Sequence, residues 1–380
     1  MNIIFTGDVN FKTKEDITAE ESRRALKEVK PYFDNADFRI INLECPLADG
    51  EFEPIKKSGP NLISPTSCIC FLEEGGVDGA TLANNHIGDY GEEPVRLTME
   101  LLEKHNIKHC GAGENLDAAY KAMHFEKDGL RVALISSCEN EFGVADFEKY
   151  GSAGLKMSKL FHAVKREKET SDFVIVVFHG GNEHNPLPSP GAVERYRLFI
   201  DFGADAVVAG HTHCPQPTEY YNGKPIIYSM GNFLFNAKSA EQDTPWFYGY
   251  MVNLVISKGK SIKYELIPYK TEKDTAIIHI FEGEKKEKML SYLESLAEIV
   301  KDERELLKYY KGWCFHIDYY YADNPLIGDG MTRVHRSKNI FNCEAHRELA
   351  TMNYNIFIEG EEDLAARYWK KLQELIDMPV

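Results

Sequence analysis

Five short apolar runs in this chain end in residue types that can ligate metal ions. Ile3–Thr6 leads to Gly7-Asp8-Val9-Asn10, Phe38–Leu43 ends at Glu44, and Gly79–Ala83 leads to Asn84-Asn85-His86-Ile87-Gly88-Asp89. Phe173–Phe178 leads to His179-Gly180-Gly181-Asn182-Glu183-His184, and Ala206–Ala209 to Gly210-His211-Thr212-His213. Residues just past the carboxyl ends of parallel strands converge on one crevice of an open α/β sheet. One strand ending in histidine means little, but five ends offering carboxylates, carboxamides and imidazoles together are hard to explain by packing. In Gly210-His211-Thr212-His213 the i, i+2 pair on a turn can aim both rings at neighbouring metal positions, and the glycine lets the backbone turn tightly.

These groups meet only if the intervening chain folds as alternating strands and helices. Besides the runs above, Arg131–Ser136 and Pro225–Tyr228 read as strands, with helices over Glu20–Val29, Pro94–His105, Ser158–Glu169 and Gly191–Phe202. That alternation predicts an α/β sheet covered by helices. Trp246–Ser257 and Ser261–Tyr269 read as a hairpin around Lys258-Gly259-Lys260. Past about residue 270 the pattern changes to Glu/Lys/Leu at helical spacing over Lys285–Tyr310, Ala345–Met352 and Glu361–Asp377. The expected organisation is a main domain over 1–270 and a helical extension over 271–380 packed on it, with Tyr319–Tyr321 filling the contact.

Bulk properties narrow the function classes. The 380 residues carry 60 acidic and 44 basic side chains, a formal charge of −16, which repels nucleic-acid backbones and anionic lipid. The start, Met1-Asn2-Ile3-Ile4-Phe5, lacks the basic and apolar regions of a secretory signal, and no apolar run could span a bilayer. A cytoplasmic protein without membrane insertion is expected. The eight cysteines lack metal or redox spacing and read as small apolar residues. His105, His109, His124, His162, His279, His316, His335 and His346 lie away from the strand ends and are expected on the surface or in the core.

Gly7-Asp8, Asn42-Leu43-Glu44, Leu82-Ala83-Asn84-Asn85-His86 with Asp89, His179, Gly210-His211-Thr212-His213 and Tyr228-Ser229-Met230-Gly231-Asn232-Phe233 occur in an order that resembles the CapA (poly-gamma-glutamate capsule) branch of the calcineurin-like metallophosphoesterases. The resemblance spans about Met1 to Tyr269. It implies a metallophosphoesterase-like αββα sandwich, with the helical extension added, and two adjacent divalent metals drawn from Mn, Fe, Zn or Mg. By the same resemblance Asp8, Asn10 and His213 would serve the first metal, Glu44 would bridge, and Asn85, His179 and His211 would complete the second. His86 would be the general acid and Asp89 would orient its ring. Asn10 and Glu44 stand where the wider superfamily has histidine and aspartate. Glu183 and His184, on a proline-rich loop, and Asn232 are expected on the substrate side.

Such an arrangement suits in-line displacement at phosphorus, since two close cations lower the pKa of a shared water and clamp attacking and leaving oxygens. The expected function is hydrolysis of a phosphoester or phosphodiester on a small or polymeric anion. Two alternatives stand beside it: metal-dependent amide cleavage of gamma-linked polyglutamate, and a non-catalytic accessory role in polymer synthesis. A proton donor at His86 speaks against the last.

Overall fold

The computed structural model of the protein describes residues 1–11, 17–235, 244–321 and 330–377. Two-residue alternation along the strands builds two faces of core from one sheet. In the first strand, Asn2–Asn10, Ile3 and Phe5 join the core shared with the second sheet, while Ile4 and Val9 join a separate core on the other side. Ile40 and Ile41 of Phe38–Leu43 divide in the same way. The outer core takes Ala25, Phe33, Phe71, Leu72, Val95 and Leu102 from four helices between Ala19 and Lys104. The far face of the second sheet is covered by Met157–Lys168, through Leu160 and Val164, and by Pro190–Asp201, through Tyr196 and Phe199. The result is the expected helix–sheet–sheet–helix sandwich.

Among the described residues the first sheet has eight strands. Its order is Ile278–Ile280, Lys263–Thr271, Tyr248–Val255, Asn2–Asn10, Phe38–Leu43, Gly79–Thr81 and Lys108–Cys110, with Asn232–Phe235 also pairing with the first strand. The second runs Thr218–Tyr221, Lys224–Ile227, Ala206–Gly210, Phe173–His179, Leu130–Cys138 and Met123–Lys127. The five runs that end in donor residues pair in parallel within their sheets. The hairpin forms as the sequence suggests, in register from Tyr248 opposite Lys270 to Val255 opposite Lys263. The sheet continues past residue 270, through Ile278–Ile280, and the helical part begins at Gly283.

The first strand changes partners midway. Asn2–Phe5 pairs antiparallel with Val252–Val255, whereas Asp8, Val9 and Asn10 pair in parallel with Asn232, Leu234 and Phe235. At the change Gly7 is pressed against the Gly231 carbonyl. A Cβ on Gly7 would lie 1.9 Å from that oxygen, and the Asp8 N–H donates to it at 3.1 Å.

Helical spacing over Lys285–Tyr310 resolves into two helices, Gly283–Lys301 and Glu303–Tyr321. Asp302 separates them. It is extended, and its Oδ1 accepts from the N–H groups of Arg304 and Glu305 at 3.0 and 3.1 Å, which caps the second helix. Gly330–Asn342, Glu344–Glu359 and Glu362–Ile376 follow. The side chains of Tyr319–Tyr321 lie outside the described residues.

Apolar side chains such as Tyr310, Trp313, Leu349 and Leu372 join these helices to the main core. Buried polar groups fix their position. Asn140 donates from its backbone N–H and its Nδ2 to the two oxygens of Glu344 at 2.9 and 2.8 Å. Arg195 pairs with Glu139 at 3.2 Å and also with Glu348, and Asn342 Nδ2 donates to the Asn140 carbonyl at 2.7 Å. No helix among the described residues is long and apolar enough to cross a membrane. All eight cysteines are free thiols, and seven are buried.

The Gly7 contact gives a direct test of this register. Gly7→Ala should destabilise the protein by about 1–3 kcal/mol or more, because backbone and not a flexible side chain must yield. Urea unfolding measures it, and a loss below about 0.5 kcal/mol would mean that the strand change is misplaced.

Candidate metal centre

Strand ends from both sheets bring Asp8, Glu44, Asn85, His179, His211 and His213 together, all of them buried. Two groups form. Glu44, His179 and His211 each offer a ligand atom within 4.8 Å of the others, as do Asp8, Glu44 and His213. Glu44 belongs to both. Around His179 Nε2 stand Asn85 Oδ1 at 3.1 Å, His211 Nδ1 at 3.1 Å and Glu44 Oε1 at 3.6 Å. Asn10 is buried two residues beyond Asp8 on the same strand, opposite Phe235.

Local backbone conformation aims these groups. His211 and His213 adopt φ of 101° and 56°, and His184 one of 64°, left-handed values that a side-chain-bearing residue holds only when its surroundings enforce them. Asp8 Oδ2 accepts the His211 N–H at 2.9 Å, and Asp8 Oδ1 would lie 2.8 Å from a Cβ on Gly210. Glycine there lets the carboxylate approach the turn. Asn84 organises the next loop: its Oδ1 accepts the N–H groups of His86 and Ile87 at 3.1 and 2.8 Å, while its Nδ2 donates to the Leu43 carbonyl at 2.9 Å. The turn that presents Asn85 and His86 is thereby tied to the strand that presents Glu44.

Burial dominates the electrostatics. Neither oxygen of Glu44 has a hydrogen-bond partner, and the residue is fully buried. Burial, reinforced by the Asp8 carboxylate, pushes the Glu44 carboxyl well above its ordinary range. Burial also raises Asp8, against hydrogen bonds from Asn42 and His211. The imidazoles move the other way. Burial, with repulsion from His211 and His213, holds His179 well below its usual value, and burial brings His213 to about 3. Carboxylates driven up and imidazoles driven down mean that each group resists its charged form. A cation reverses the pressure on the carboxylates, which it favours ionised, and suits imidazoles already held in the neutral, ligating form. Oxygen and nitrogen donors around an unpartnered carboxylate fit hard or borderline divalent ions.

Three residues not assigned a role from the sequence complete the centre. Asn42 Nδ2 donates to Asp8 Oδ1 at 2.7 Å and lies 3.2 Å from His179 Nδ1, so it sets the direction of both. Asn84 acts as described above. Lys57 has a fully buried side chain and forms an ion pair with Asp89. Asp89 Oδ2 lies 2.6 Å from His86 Nδ1 and accepts the Leu62 N–H at 2.7 Å, while Lys57 Nζ stands 3.2 Å from the same His86 nitrogen. Asp89 and Lys57 both occupy Nδ1, which leaves Nε2 as the atom that meets the adjoining pocket.

The substrate-side candidates divide. Glu183 and His184 line a pocket of about 520 Å3 beside Asn85, His86 and His211. Asn232 instead stands behind His213: its Oδ1 meets His213 Nδ1 at 2.8 Å, and its Nδ2 donates to the Trp246 carbonyl at 3.1 Å. His346 reaches the same pocket, paired with Glu141 at 3.2 Å. Only the spacing of the helix that carries it was visible in the sequence, not its approach to the site.

Residues 2–237 match the family described as bacterial capsule synthesis protein PGA_cap. The chain is similar to the capsule biosynthesis protein CapA of Bacillus anthracis, 27% identical over 62% of this chain and 60% of that protein. It is also similar to the PGA biosynthesis protein CapA of Bacillus subtilis, 27% identical over 61% and 62%. A probable polyglutamine synthesis accessory protein of Mycobacterium tuberculosis is 29% identical over 52% and 55%. The chain thus aligns with about six tenths of the length of the first two relatives. Among solved structures, a novel phosphatase from Mycoplasma pneumoniae shares 17% identity over 73% of this chain and 95% of that one, with a TM-score of 0.45.

The buried Lys57–Asp89 pair yields a stability test. Lys57→Ala leaves a buried carboxylate without its cation and should cost about 3–5 kcal/mol, while the double change Lys57→Met with Asp89→Asn should recover most of that loss. Equal losses in the two proteins, by chemical denaturation, would mean that the charge pair is not what holds this corner.

Proposed function

Because the chain belongs to the bacterial capsule synthesis protein PGA_cap family, we propose that it is a metal-dependent hydrolase of phosphoesters or phosphodiesters. Its substrate would be an anion connected with capsule or polyglutamate metabolism. Glu44 carries the reading: a fully buried carboxylate with no hydrogen bond on either oxygen, shared by two groups of donors, is a place for cations. Asp8, Glu44 and His213 would hold one ion, with Asn10 near it, and Glu44, Asn85, His179 and His211 the other. Bound there, two such ions supply Lewis acidity and a nucleophile at neutral pH.

The residues of the chain supply the rest. Asn42 and Asn232 hold Asp8, His179 and His213 in ligating orientation. His86 offers Nε2 to the pocket while Asp89 and Lys57 hold the opposite side of the ring. Burial lowers its pKa, a pull that the Asp89 hydrogen bond opposes. A proton on Nε2 is therefore readily released to a departing alkoxide. Glu183 and His184, at the pocket mouth, would meet the substrate.

A second reading draws on the names of the relatives, one of which is called a synthesis accessory protein. In it the same centre would act on gamma-linked polyglutamate, by amide cleavage or by binding alone. The two readings separate on substrate.

Purified protein should contain Mn, Fe or Zn by elemental analysis and turn over bis(p-nitrophenyl) phosphate or p-nitrophenyl phosphate. His86→Ala should lower turnover by about 10²–10⁴-fold with metal content unchanged. Full activity in that variant would remove the proton-donor role. Glu44→Gln should bind less metal, yet the metal-free variant should melt no lower than the metal-free parent, since it removes an unpartnered buried charge. Release of glutamate from polyglutamate, with no phosphoester turned over under any added divalent ion, would replace the leading reading with the second.

A further inference from the structure

The pocket beside His86 has two unlike walls. One is the polar set of strand-end loops, including Asn85, His86 and Asn182. The other is supplied by the C-terminal helices: Trp313 and Ile317 from Glu303–Tyr321, Arg336, Asn339 and Ile340 from Gly330–Asn342, and His346 and Leu349 from Glu344–Glu359. These helices lie beyond residue 237, where the family match ends. Whatever they contribute to the pocket is thus additional to the matched region.

We propose that the helical wall is the specificity-determining half of the site, and that it binds a ring-sized apolar group on the alcohol side of a small phosphoester. The proposal rests on the hydrolase reading above. Three observations support it. The apolar side chains Trp313, Ile317, Ile340 and Leu349 line an open pocket of about 520 Å3, within the size range of small-ligand sites. The wall is fixed: Glu344 and Glu348, on the helix that carries Leu349, are tied to the buried Asn140 and Arg195 through partly buried polar contacts. Two residues of the wall also keep buried polar atoms without partners, the Trp313 indole N–H and the Asn339 Oδ1. Asn339 Nδ2 is already committed to Glu141 Oε1 at 3.3 Å. Such atoms cost free energy in the ligand-free protein, and a ring with a polar edge would relieve them after a small side-chain adjustment.

Non-hydrolysable phosphonates test the wall apart from the chemistry. In calorimetric titration of the Mn2+-loaded full chain, phenylphosphonate should bind about tenfold more tightly than methylphosphonate, which lacks the ring. Ile340→Trp, at a half-buried position that should leave the fold intact, fills the cavity and should abolish that preference. Methylphosphonate should stay within about twofold of its parent affinity. Ile317→Ala should weaken phenylphosphonate alone, by several fold. Equal affinities in the parent protein, or equal changes for both ligands in the variants, would overturn the helical wall while leaving the metal centre standing. Failure of both phosphonates to bind would overturn the hydrolase reading itself. Displacement of phenylphosphonate by poly-gamma-glutamate at matched ionic strength would overturn the assignment of a small phosphoester.

Discussion

A carboxylate that is sealed from water and meets no donor is among the least comfortable groups a protein can contain, and Glu44 is one. Moving it into the interior costs several kcal/mol unless a positive charge accompanies it. Much of the surrounding structure follows from that requirement. Asp8 and three imidazoles converge on it from both sheets, the loop carrying Asn85 is tied to its strand by Asn84, and Asn42 and Asn232 fix the neighbours' orientation. The sandwich brings the ends of two parallel strand sets to one edge. Without the stacking of the two sheets, His179 and His211 would be far from Glu44.

What could be read from the sequence was what depends on residue type. Donor residues at five strand ends announced the metal centre because aspartate, glutamate and histidine there have little packing purpose. Strands such as Phe38–Leu43 emerged at their observed bounds because β-branched and aliphatic runs buried on both faces have few other uses. Lys57 did not emerge, since it sits in an irregular loop and nothing in its neighbourhood says that the loop returns to His86. Asn42 and Asn84 lay in plain view within recognised motifs, but their roles are geometric and depend on which atoms their amides meet. The break at Asp302 had a local signal, an aspartate followed by a polar first turn, which the continuous Glu/Lys/Leu spacing masked. Gly330–Asn342 was missed because much of it is exposed and polar; Asn339 and Ile340 turn toward the pocket only through packing.

The C-terminal helices illustrate how polar contacts can select one orientation. An apolar face alone would allow several docking angles of similar energy. The paired contacts of Glu344 with Asn140, and of Arg195 with Glu139 and Glu348, are satisfied together in one arrangement only, so the buried polar network gives direction to an otherwise permissive interface.

The first strand's change of partner has a consequence for how the molecule is made. Asp8 is translated before the chain that flanks it in the sheet, Asn232–Phe235, which emerges more than two hundred residues later. Val252–Val255, beside the other half of that strand, comes later still. Contacts of such long sequence separation form slowly, because a long loop must close before any bond repays it. Until those strands emerge, therefore, the nascent chain carries an incomplete sheet edge at Asn2–Asn10. The candidate metal centre is framed completely only when these later strands arrive.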